Sequence, residues 1–173
     1  MEIPNRHVVL VGMMGAGKTT VGRLVAARLG WSFWDNDEAL LETTGKTAAE
    51  MQQQGGRAVL HHTENRLLRE ALGARTQTVY AAASSVVLSP GILRDAVTVW
   101  LRITPAAEAA NIARSGQHHR PLPRDAATML ARMSKQRHRG YARLANATVD
   151  VAPQPEVTCE RVMKALRALT QSA

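Results

Sequence analysis

The most distinctive chemistry in this sequence lies near its start. Gly12-Met13-Met14-Gly15-Ala16-Gly17-Lys18-Thr19 has the spacing G-x-x-x-x-G-K-T and follows an apolar, β-branched run from Val8 to Val11. With a strand before it and a helix after it, this pattern is the loop that cradles nucleotide phosphates. Glycines at 12, 15 and 17 let the backbone adopt positive φ and approach phosphate oxygens closely. The amides from Gly15 through Ala16 and Gly17 to Thr19, with Thr20 beside them, form an anion nest at a helix N-terminus, where the helix dipole adds positive charge. Lys18 is expected to reach the β- and γ-phosphates, and the Thr19 hydroxyl to ligate Mg²⁺.

Asp35 and Asp37 form a second centre. At i and i+2 they share one side of the chain if the strand continues. Beside a phosphate loop such a pair suits Mg²⁺ and the proton of an attacking hydroxyl; the alternative is a polar strand end. The chain has six histidines. His61-His62 and His118-His119 are adjacent pairs that splay apart on a helix, and no H-E-x-x-H or cysteine pair accompanies them, so a structural zinc is not expected. Arg114 and Arg120, in or beside a polar stretch, are either solvated charges or guanidiniums that close over phosphates.

These groups need a scaffold, and strands alternate with helices in the manner of a parallel α/β sheet. His7–Val11 reads as the first strand, Lys18–Leu29 as a helix stopped by Gly30, and Trp31–Asp35 as the second strand. Glu38–Thr44 reads as a helix ending at Gly45. Thr47-Ala48-Ala49-Glu50 is a capping box opening another, which Gly55-Gly56 breaks, and a longer helix follows from Arg57 to Leu72. Thr78–Ala82 and Val97–Ile103 read as strands three and four, each followed by a Ser-Pro or Thr-Pro helix start. Ser115–Arg124 reads as a loop, Asp125–His138 as a helix, Thr148–Val151 as a last strand, and the segment after Pro153 and Pro155 as a terminal helix.

Composition bounds the possibilities. A length of 173 residues predicts one domain with a normal core. One cysteine, Cys159, forms no internal disulfide, and no targeting or membrane-spanning run is visible; a cytoplasmic, monomeric protein is the expectation. The net charge of +8 suits either a nucleic-acid surface or a site for polyanionic substrates. With 3% aromatic residues and scattered arginines, stacking platforms and a clustered footprint are lacking, which disfavours nucleic acid as a partner.

Five further features occur in a fixed order: Asp35-Asn36-Asp37; Gly55-Gly56, four residues, then His61-His62-Thr63-Glu64; Ala83-Ser84-Ser85 through Ser89-Pro90; Arg120-Pro121-Leu122; and Arg137 four residues before Tyr141. Together with the phosphate loop, this set resembles the shikimate kinase family of small P-loop kinases, over essentially the whole chain. The resemblance implies a single P-loop NTPase-like three-layer domain spanning residues 1–173, with a five-stranded parallel sheet of order 2-3-1-4-5. It implies a substrate-binding region near residues 35–64 and a lid near residues 113–124. It further implies phosphoryl transfer from ATP, with Mg²⁺, to a hydroxyl of a small cyclic acid. By the family pattern Asp35 sits near the Mg²⁺ shell, Asp37 binds and deprotonates the acceptor hydroxyl, Arg120 folds over ATP and Arg137 meets the substrate carboxylate. Asn111 stands where the family often has an adenine-stacking arginine; Arg114 is the nearest substitute. Pro155 either packs on adenine or merely precedes the last helix.

The chain departs from the family at two acceptor-side places. His61 replaces an arginine that grips the carboxylate, and Ala83-Ser84-Ser85 replaces three glycines, adding Cβ atoms that disfavour positive φ and crowd the pocket. Arg57, one helical turn before His61, is either a replacement guanidinium or a solvated charge. Ser84 and Ser85 are either hydroxyl donors to the substrate or turn formers. The nucleotide side is intact. The expectation is therefore a working ATP site that uses shikimate poorly, or prefers another hydroxylated acid, cyclitol or sugar; the alternative is a nucleotide-binding homologue with lost or regulatory activity.

Overall fold

The computed structural model describes residues 7–115 and 126–171. Its sheet has the order β2-β3-β1-β4-β5, with every neighbouring pair parallel. The central strand β1 (His7–Val11) is buried along its whole length. This is the burial that a continuous apolar run predicts for a strand covered on both faces. It pairs with β3 (Thr78–Ala81) on one side and β4 (Val97–Arg102) on the other; β2 (Ser32–Asp35) and β5 (Ala147–Asp150) form the edges. The strand order reverses around β1, so the crevice beyond its carboxyl end is the natural ligand site of an open parallel sheet.

Six helices are described: α1 (Lys18–Leu29), α2 (Asn36–Thr44), α3 (Ala48–Leu72), α4 (Pro105–Ser115), α5 (Ala126–Leu144) and α6 (Pro155–Gln171). The main core gathers Val8 to Val11, Val21, Val25, Val99 and Leu101 with Val162 and Leu166 of α6. A smaller cluster of Leu40, Leu60 and Leu67, with Trp34 and Met51 against it, locks α2 to α3. Among the described residues no helix is long and apolar enough to cross a membrane.

Several boundaries differ from the sequence reading for identifiable reasons. Asp35 ends β2 and caps α2, accepting from Asp37 N at 2.8 Å and Glu38 N at 3.4 Å, so the strand does not continue to Asp37. The Thr47–Glu50 capping box forms as expected, and the helix it opens breaks at the glycine pair as expected: Gly56 takes the non-helical φ 79° and ψ 172°, so α3 is two helical pieces meeting at a kink there. Ser84–Leu88 is a 3-10 segment, and the segment after Ser89-Pro90 is a short 3-10 turn, Pro90–Leu93, without a side-chain cap. Helix α5 continues six residues beyond His138, to Leu144, because Tyr141 is buried on the same side as Leu130 and needs the helix to reach the core.

Candidate active site

The phosphate loop leaves β1 at Gly12 and enters α1 at Gly17, the N-cap, with φ 79° and ψ 20°. Gly12 and Gly15 also have positive φ, 148° and 75°. At Gly12 a methyl group would lie 2.6 Å from the Leu101 carbonyl oxygen, so close approach to β4 as well as conformation requires glycine. Lys18 Nζ rests on the loop itself, donating to Gly12 O at 3.1 Å and Met13 O at 3.0 Å. Loss of hydration lowers its pKa, and the carboxylates of Asp37, Asp35 and Glu108 oppose that shift. A partly dehydrated ammonium held over backbone carbonyls is ready to exchange them for phosphate oxygens.

Thr19 and Asp35 meet directly: Thr19 Oγ1 donates to Asp35 Oδ2 at 2.7 Å. The other Asp35 oxygen caps α2, which fixes the carboxylate in place. A hydroxyl and a carboxylate side by side at a phosphate loop are hard oxygen donors of the kind Mg²⁺ takes, with phosphate and water filling the remaining positions. Asp37 lies in the first turn of α2 and lines the same cavity.

That cavity, about 750 Å³, runs from the loop to the inner faces of α2, α3 and α5. Gly15, Ala16, Gly17, Lys18, Thr19, Thr20, Asn111, Arg114 and Pro155 line it. Asn111 Nδ2 donates to Gly15 O at 2.8 Å, and Arg114 donates to Asn111 Oδ1. Asp37, Arg57, His61, Glu64, Ser84, Ser85 and Arg137 line the same cavity. Arg57 and His61 thus share the cavity-facing side of α3, as their spacing suggests. Gly12 lies beneath the loop, outside the cavity lining. Arg120 and most of the expected lid fall outside the described residues.

The serine segment behaves differently from the sequence expectation. No non-glycine residue among those described has positive φ, and Ala83 sits at φ −57°, so the backbone here does not require glycine. The Cβ atoms instead allow new side-chain contacts. Ser85 is buried and donates to Glu64 Oε2 at 2.5 Å. Ser84 faces α5: Arg137 Nη1 donates to its carbonyl at 3.2 Å and its Oγ at 3.0 Å, and Tyr141 Oη donates to the same carbonyl at 2.7 Å. Desolvation raises the Tyr141 pKa, so the phenol stays protonated and donating. Buried Asn36 ties the elements together, accepting from Ala83 N at 3.3 Å and reaching the Glu64 carbonyl at 3.5 Å.

The sequence assigns no site role to Asn36, Glu64 or Tyr141, which stand only as motif positions, or to Glu108. Glu64 and Glu108 carried a usable signal: each is a carboxylate on an apolar helical stripe, Glu64 with Leu60 and Leu68, Glu108 with Ile112.

Arg137 depends on close packing at Gly140. A methyl group there would lie 2.4 Å from Val87 Cγ2, with the stiff β-branched side chain unable to turn away. Gly140→Ala is therefore expected to lower stability by about 1–3 kcal/mol and to push α5, with Arg137, off the serine segment. Chemical denaturation together with the acceptor KM checks this; an unchanged KM at reduced stability would separate the packing from the site.

A sequence profile described as "Shikimate kinase" matches residues 14–167. The shikimate kinase of Gloeobacter violaceus is 36% identical over 167 residues, covering 92% of this chain and 91% of that protein. The shikimate kinase of Moorella thermoacetica is 34% identical, covering 96% and 97%. Among solved structures, the shikimate kinase of Acinetobacter baumannii in complex with shikimate superposes with a TM-score of 0.86 at 25% identity, covering 94% of this chain and 93% of that one.

Proposed function

The chain belongs to the shikimate kinase family, and we propose that it transfers the γ-phosphoryl group of ATP to a hydroxyl of shikimate. The observation that carries this reading is one cavity lined both by the phosphate loop and by Asp37 and Arg137. ATP phosphates occupy the Gly12–Thr20 loop, and Lys18 moves from the Gly12 and Met13 carbonyls to the β- and γ-oxygens. Thr19 and Asp35 would hold Mg²⁺, which would supply charge neutralisation across the phosphates. Asp37 orients the acceptor hydroxyl and takes its proton. Arg137, braced by Ser84, receives the acceptor carboxylate. By the family pattern Arg120 adds positive charge over the transferred group, and Arg114 and Pro155 border the adenine.

The acceptor end governs efficiency. His61 offers a weaker donor than a guanidinium, and Ser85 occupies Glu64 instead of facing the substrate. Purified protein with ATP, Mg²⁺ and shikimate is expected to form ADP and phosphorylated shikimate at an efficiency below about 10⁴ M⁻¹s⁻¹. No turnover with shikimate, but turnover with another hydroxy acid, cyclitol or sugar, would reassign the acceptor.

Restoring the guanidinium gives a sharper test. His61→Arg is expected to raise kcat/KM for shikimate by roughly tenfold to a hundredfold, the value of a charge-assisted bond to a carboxylate worth about 1.5–3 kcal/mol. The gain should appear mainly in KM. An unchanged efficiency would mean that Arg57 and Arg137 already saturate the carboxylate.

A further inference from the structure

Glu108 is a buried ionisable group that the phosphoryl-transfer chemistry does not use. Its side chain is 0% exposed, and neither Oε1 nor Oε2 has a hydrogen-bond partner. It does not line the cavity. It lies in the first turn of α4, which backs the phosphate loop: a methyl group at Gly15 would lie 3.1 Å from the Glu108 carbonyl, and Asn111 on the next turn bonds Gly15 O.

The charged and titratable groups that act on it come from two neighbouring elements, Lys18 from α1 and Arg137 and Tyr141 from α5. Arg114, on its own helix, is exposed and engaged with Asn111. Lys18 spends its hydrogen bonds on Gly12 and Met13. The carboxyl is therefore dehydrated without a donor to replace water, a costly arrangement for the ionised form. Desolvation pushes its pKa up to about 7, while Lys18 and Arg137 pull the other way.

We propose that Glu108 is a proton-linked positioning residue for the nucleotide, taking up a proton from solvent on a carboxylate oxygen as the phosphates engage Lys18. Nucleotide phosphates bring several negative charges to the other side of the loop and neutralise the Lys18 field that favours ionised Glu108. Both changes favour the neutral acid. Linkage then requires the reverse: raising the pH ionises Glu108 and weakens nucleotide binding. The residue acts through Lys18 and Gly15 and never touches the ligand.

The inference rests on nucleotide binding at this loop, and calorimetry with ADP at saturating Mg²⁺ separates the two. Titrations in two buffers of different ionisation enthalpy, across about pH 6 to 9, count the protons exchanged. The expected result is uptake of a fraction of a proton per ADP, largest just above pH 7, with affinity falling several-fold as the pH rises. Glu108→Gln is expected to bind ADP with no such uptake and a flat pH profile. Glu108→Leu predicts the same loss if the amide is not accommodated. Wild-type binding without proton uptake, or the same uptake in a folded variant, overturns the inference. Failure of the wild type to bind ADP at all overturns the nucleotide site itself.

Discussion

Replacing Lys18 by alanine is expected to abolish measurable phosphoryl transfer and to weaken nucleotide binding by roughly 2–4 kcal/mol, about thirtyfold to a thousandfold. The ammonium is already partly dehydrated, which lowers its pKa, and it is held by two loop carbonyls 3.0 and 3.1 Å away. Little reorganisation is needed for it to reach phosphate, so most of its attraction is available for binding and for the charge that develops on the transferred group. The loop itself should survive, because Gly12, Gly15 and Gly17 set its path through backbone geometry. Nucleotide titration and steady-state kinetics on the variant check this. Unchanged affinity and turnover would remove the phosphate loop from the reaction.

Asp37→Asn is expected to lower kcat by about 10²–10⁴-fold while leaving the ATP KM within a few-fold of wild type. The amide keeps the size of the side chain but accepts no proton. The cap of α2 belongs to Asp35, which accepts from the Asp37 backbone, so the substitution leaves that hydrogen bond in place. Loss of the negative charge also removes one of the influences that oppose dehydration of Lys18. Thermal stability close to wild type with collapsed kcat is the predicted pattern. Full activity in the variant would mean that the acceptor hydroxyl needs no base here, and would leave Asp37 as a binding group at most.

Much of this site is legible in sequence because its chemistry is local. The phosphate loop needs glycines at set positions between a buried strand and a helix, and thirteen consecutive residues, Val8 to Thr20, contain all of that information. Central burial of β1 follows from its unbroken apolar run, and the capping box at Thr47 and Glu50 follows from a four-residue pattern. The ordered motifs around Asp35, His61, Arg120 and Arg137 extend the reading to the sheet order and the acceptor region, and the sheet has that order.

What the serine segment does is not local. Whether Ser84 and Ser85 face the substrate or the protein depends on what α3 and α5 bring to them, from residues twenty-one and fifty-three positions away. Ser85 turned to Glu64 because a buried carboxylate needs a donor, and Ser84 turned to Arg137 because a guanidinium needs an acceptor. The close contact of Gly140 with Val87 and the orphaned carboxyl of Glu108 have the same origin. The sequence by itself determined the phosphate loop and the identity of the charged groups, because spacing along one chain segment dictates them, while the strand order entered only through what the family resemblance implies. Only the tertiary structure decided which of those groups satisfy one another and which remain available to a ligand, because burial and hydrogen-bond partners are properties of the packed neighbours.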